Sequence, residues 1–259
     1  MLRHAHLQGR WGWLGVCGFL LLATHARAET GWTQRDIAWQ PGTEREFLFL
    51  LKGERIGQLI TQVSKGKKDA LLIRDTLNYR YETPRTGGQP DVVSLYHASE
   101  LEVKPDGSPL HFKMYRESPG TKRTVSMTFD GLKVDSIEST VGFDVKQETP
   151  LPPHALVVVD QLISAWSVVL QALPLEDQDT FTLSVFAADK LTPLLVTIKV
   201  LERTTLKFGD ETVPVLVCSI SPLPGKFYIH AATQEILRYE VPEKQLVVEL
   251  VPPAHPNHH

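Results

Sequence analysis

Four sets of residues have types and spacings that could do chemistry. Cys218 lies in the apolar run VPVLVCSI, with His230 the nearest histidine in sequence. A catalytic thiolate needs an electropositive, partly open site and a base within reach. The run supplies neither, so strand pairing would have to bring the two side chains together. Without that, Cys218 is a small buried hydrophobe. Ser64-Lys65-Gly66-Lys67 fits the S-x-x-K pattern of serine-lysine acylases. The partner motifs S-D-N and K-T-G are absent, and the pattern sits in a basic turn, KGKKD, which reads as a solvated loop.

The remaining two sets are histidines and carboxylates. His97, His111, His154 and His230 form no i, i+4 pair on a helix, whereas His255, His258 and His259 cluster at the C-terminus. Such a cluster binds Zn²⁺ or Ni²⁺ weakly when it has no fixed geometry, and here it reads as a disordered tail. Glu100 and Glu102 share one face of a strand, because side chains repeat every second residue. They could form an acid/base pair or a Ca²⁺ site. With Leu101 and Val103 on the opposite face, they read as the solvent side of an amphipathic strand. No G-x-S-x-G, H-E-x-x-H, Walker or dinucleotide-binding pattern occurs. The sequence therefore predicts no enzyme, no metal site and no cofactor.

The elements around these residues read as strands. After residue 44, period-two alternation is punctuated by turn signals at Lys52-Gly53, Pro105-Asp106-Gly107, Ser118-Pro119-Gly120 and Asp130-Gly131. In the first half, Leu110, Phe112 and Met114 alternate with polar residues, as do Val125, Met127 and Phe129. The stretch 83–91 reads as a loop. QETPLPP (147–153) ends this half. The spacing of Leu162, Trp166, Val169, Leu170 and Leu173 predicts one helix over 160–173, with Asp160 as N-cap and Pro174 as the stop. Strands resume at Phe181 and continue to Val251, for about thirteen in all. The expected fold is mainly β: an antiparallel meander forming a curved sheet or open barrel, with the helix packed on it by one apolar face. Residues 29–251 are expected as one β-rich domain, with two halves (44–146 and 155–251) as the alternative, and 252–259 as a frayed tail.

The N-terminus reads as an export signal. Arg3 and Arg10 precede an uncharged, mostly apolar run over residues 11–23, followed by Ala26-Arg27-Ala28, a small-x-small cleavage pattern. The run is too short for a spanning helix, which needs about 20 residues. Cys17 lies inside the run, after Val16, where a lipid-acceptor cysteine would not sit. Residues 1–28 carry three arginines and no acid, so removing them leaves 24 basic and 30 acidic residues, a formal charge of −6. That balance argues against nucleic-acid binding, which needs a concentrated basic face. Cys218, then the one cysteine, cannot form an internal disulfide.

Several segments carry a resemblance: FLFLLKGERIGQLITQV near the start, ELEVKPDGSPLHFKMYRE followed by RTVSMTFDGLKV, and the C-terminal hairpin with Phe227, Tyr228, Leu237 and Arg238. Residues 44–251 resemble uncharacterised bacterial periplasmic β domains found alone or ahead of transglutaminase-like domains. Their layout is similar to the open β-barrels of lipoprotein-localisation factors, which hold acyl chains between sheet and helix. The resemblance implies a Gram-negative periplasm and carries over no catalytic residue.

The function expected from this is a non-enzymatic periplasmic module of the cell envelope. An apolar concavity closed by a helix suits an acyl chain, and Phe112, Met114, Met127, Phe129, Trp166 and Val169 are its candidate lining. The same six side chains would equally make a dry core. The alternative is a structural or scaffold protein that engages an envelope protein through its sheet edges. No nucleic acid and no membrane span in the mature chain are expected.

Overall fold

The computed structural model describes residues 33–83, 89–160 and 162–252. The expected export signal, residues 84–88 of the expected loop, and residues 253–259 of the tail lie outside the described residues.

Alternation over most of the chain gives long strands because each can bury one face and wet the other. They are β1 (Glu44–Leu51), β2 (Glu54–Lys65), β3 (Leu71–Thr83), β4 (Asp91–Val103), β5 (Pro109–Ser118), β6 (Thr121–Asp130), β7 (Lys133–Thr140) and β8 (Phe143–Pro150), then β9 (Leu156–Val158). Helix α1 (Ile163–Gln171) follows. The chain then runs through β10 (Thr180–Ala187), β11 (Thr192–Phe208), β12 (Glu211–Ser221), β13 (Lys226–His230) and β14 (Ile236–Val241). A 3₁₀ turn (Pro242–Lys244) leads to β15 (Leu246–Leu250). Tight hairpins are set by local chemistry. Lys52 and Gly53 both take positive φ (55° and 83°), the requirement of a type I′ turn.

All the strands belong to one sheet, in the order β8-β7-β6-β5-β4-β3-β2-β1-β15-β14-β13-β12-β11-β10-β9. Every pairing is antiparallel except β9 on β10. Every neighbour in the sheet is also a neighbour in sequence, apart from β1 against β15. The sheet is open: β8 and β9 are its two ends. It curls so that β6 and β10 face each other, with Phe129 and Phe186 edge to face at 6.0 Å. Arg123 on β6 donates to the Asp189 carbonyl at 2.5 Å, just past β10.

Helix α1 departs from the expectation in three ways. It begins at Ile163 with Leu162 as N-cap and no side-chain cap, and it ends before Ala172. Asp160 instead accepts a bond from Lys190 Nζ at 2.6 Å. Every helical residue is buried, including Ser164, Ser167 and Gln171, so the helix does not present one apolar face to a sheet and another to water. Nine residues make a helix too short to persist by propensity. Enclosure holds it instead, each large apolar side chain contributing roughly 1.5–3 kcal/mol on burial. The β4–β5 turn seats against it: Gly107 (φ 83°) leaves room where a Cβ would lie 3.3 Å from Val168 Cγ1.

The structure has two more strands than expected, β8 and β9. β8 (FDVKQETP) has a single buried residue, so its polar sequence shows no apolar face. β9 is three fully buried residues inside a continuous apolar run, without alternation.

Candidate functional site

The four sets of reactive residues separate in the fold. Register places Cys218 opposite Phe227 and His230 opposite Val215, three positions apart along the strands. Cys218 is fully buried, and burial pushes its thiol up to about 12, with Arg203 opposing only in part. It is a core side chain in this structure, with no base opposite it. Ser64 donates to the Leu72 carbonyl at 3.4 Å and accepts from Arg74 at 3.2 Å. Its strand ends at Lys65, which pairs with Asp69. Glu100 pairs with Arg74 at 2.8 Å, and Glu102 accepts from the Lys67 backbone at 2.9 Å. These are surface contacts between neighbouring strands. Among the described residues, no group of three or more His, Cys, Asp or Glu is placed to hold a metal ion. No helix among them is long and apolar enough to cross a membrane.

The six expected lining residues all lie in one hydrophobic cluster, none more than 8 % exposed. Phe112 and Met127 are directly opposed on β5 and β6, while Met114 faces Val125 and Phe129 faces Val134. Trp166 and Val169 bring α1 into the same cluster. Surface concavities occur elsewhere. One of about 500 Å³ lies at the β5–β6 hairpin, bordered by Tyr96, Glu117, Gly120, Lys122 and Val141. Among the described residues, this concavity and four others are lined by residues outside α1.

A polar row crosses this core. Thr61, Asp75 and Ser99 stand side by side on β2, β3 and β4. Thr61 donates to Asp75 Oδ1 at 2.7 Å, and Ser99 donates to Oδ2 at 3.3 Å. Ser164 of α1 faces the same carboxylate and favours its ionised form, without reaching hydrogen-bond geometry. Burial still dominates and raises the Asp75 pKa to about 6. His97 lies one inward position further along β4, 1 % exposed, with Nε2 unpartnered among the described residues. Burial lowers its pKa to about 4, helped by the charge of Arg116. Among the described residues, four polar atoms on α1 are also buried without a partner: Ser164 Oγ, Trp166 Nε1, Ser167 Oγ and Gln171 Nε2. Sequence reasoning did not single out Asp75; the signal was a lone carboxylate at an inward position between Ile73 and Leu77.

The two ends of the sheet are unlike. β9 is wholly buried. β8 is exposed over six consecutive residues and carries Phe143 (64 % exposed) and Val145 (46 %), with Val141 (81 %) in the turn before it. Phe143 and Val145 fall on the concave side, opposite Thr140 and Glu138 of β7. Asp144 and Lys146 point to the convex side, and among the described residues neither has a hydrogen bond or ion pair.

A family model described as "Protein of unknown function (DUF3108)" matches residues 81–239, more than half of the chain. The chain belongs to that family. No curated protein matches its sequence. The family match covers the stretch from β3 to β14 and so includes α1, the polar row from Asp75's partner Ser99 onward, and the β8 edge. A similar fold is seen in the crystal structure of a beta-barrel-like protein of domain of unknown function DUF1849 from Brucella abortus. The two superpose with a TM-score of 0.50 over 82 % of this chain and 98 % of that one, at 9 % identity. This likeness is one of fold, a β domain built on a curved, open sheet, and neither match names a catalytic family.

Proposed function

We propose that the chain is a non-enzymatic binding module of the cell envelope that engages a protein partner through the exposed edge strand β8. The observation behind this reading is the contrast between the two sheet ends: β9 is buried, while β8 is open and carries Phe143 and Val145. An unpaired edge offers a row of free N–H and C=O groups, and a partner strand can complete them. Export to the periplasm is part of the proposal and rests on Arg3, Arg10, the apolar run 11–23 and Ala26-Arg27-Ala28. The test is site-specific photo-crosslinking from position 145 in envelope preparations, with Leu195 on the convex face of β11 as the control position. Capture from 145 and not from 195 supports the edge; equal yields at both positions remove it.

A second reading, an acyl chain between sheet and helix, has one observation in its favour: Phe112, Met114, Met127, Phe129, Trp166 and Val169 share one apolar cluster. The helix occupies that space in this structure, so the chain would enter only where α1 moves aside. Native mass spectrometry of gently extracted protein checks it, and the absence of any copurifying or added fatty acid would remove it.

A further inference from the structure

We infer that the occupant of the β8 edge is a second copy of this chain, joined as a two-fold symmetric antiparallel β8–β8 pair centred on Val145. The inference rests on the reading of β8 as the docking edge and adds the identity of its partner.

The argument is one of register. In an antiparallel pair of identical strands, side chains opposite one another share a face, so the symmetry axis must fall on a residue. Centring the axis on Asp144 or on Lys146 sets that charge against its own copy, which is destabilising. Centring on Gln147 places Lys146 across from Glu148, but Lys133 already holds Glu148 at 3.1 Å, and Asp144 would face Pro150. Centring on Val145 sets Asp144 across from Lys146 twice, once on each side of the axis. These are the two β8 charges that no contact among the described residues satisfies. The same register places Val145 against Val145 and Phe143 against Gln147 on the concave side, covering the apolar residues the edge exposes. Charge complementarity and apolar cover therefore coincide in one register.

Sedimentation velocity over a wide concentration range should show reversible dimers. Lys146→Asp should weaken them about tenfold or more, because each dimer loses two favourable pairs and gains two repulsive ones. The double exchange Asp144→Lys with Lys146→Asp should restore them. Val145→Cys should form a disulfide-linked dimer under mild oxidation, and Gln147→Cys should not. A chain that stays monomeric while position 145 captures another protein in the envelope overturns the self-pairing and leaves the edge reading intact. Dimers insensitive to all of these substitutions overturn the β8–β8 pairing, and equal crosslinking from positions 145 and 195 would then remove the edge as well.

Discussion

Replacing Asp75 by asparagine should make the protein more stable at neutral pH, despite removing a hydrogen-bonded carboxylate from its core. The folded-state pKa of Asp75 is about 6, against an ordinary value of 3.8. The folded chain therefore favours the protonated acid. Its contribution to stability is full below pH 3.8 and declines as pH rises through 6. A shift of about two units corresponds to about 3 kcal/mol. His97 runs the other way. Its pKa falls from 6.5 to about 4, so its contribution is full above pH 6.5 and is lost as pH drops through 4, again by about 3 kcal/mol. Between pH 4 and 6.5 the two largely offset one another, and the wild-type stability profile should be nearly flat in their combined contribution. Asparagine can still accept from Thr61 and donate to Ser99, so it mimics the protonated acid. Asp75→Asn should match the wild type near pH 4 and exceed it by up to about 3 kcal/mol at pH 7.5. The assay is urea unfolding, followed by tryptophan fluorescence, at several pH values for both chains. Surface groups common to both cancel in the difference. A difference that does not grow with pH would refute the placement of an ionisable Asp75 in the buried core.

Other outcomes follow from the same packing. His97→Gln should leave Asp75 unopposed, and stability should then fall by about 3 kcal/mol from pH 4 to pH 7, measured by the same titration. Cys218 should resist thiol reagents in the native protein and react on unfolding, since it is buried with its thiol pushed up to about 12. Trp166→Ala should cost about 3–5 kcal/mol in chemical unfolding, because it empties the space that α1 fills at the centre of the cluster. Gly57→Ala should lower the thermal midpoint sharply, as a Cβ there runs into the Asn78 carbonyl and Tyr79 on β3.

The legible parts of the fold were those where burial is one-sided. Val125, Met127 and Phe129 face inward and their neighbours outward, so β6 declares itself in its alternation. The same holds for β4, where Leu101 and Val103 are buried and Glu100 is exposed. β8 was hidden because an edge strand at the mouth of an open sheet buries almost nothing. α1 is legible in the sequence at its centre and not at its ends and sides. Sequence shows the spacing of Trp166 and Val169, but only the closed environment explains why Ser164, Ser167 and Gln171 are buried beside them. The Asp75 row was out of reach for a related reason. Thr61, Asp75 and Ser99 are far apart in sequence and meet only through the registers of β2, β3 and β4.

The strand order has a kinetic consequence. Thirteen of the fourteen strand pairings join consecutive strands, and the exception, β1 with β15, holds the two ends of the described chain side by side. The physical break in the sheet falls mid-chain, between Pro150 and Leu156. A circular permutant opened there, with the old ends linked, would turn the whole sheet into a single run of local pairings. Its mean sequence separation between contacts would drop, and it should fold faster than the natural order while reaching the same native sheet.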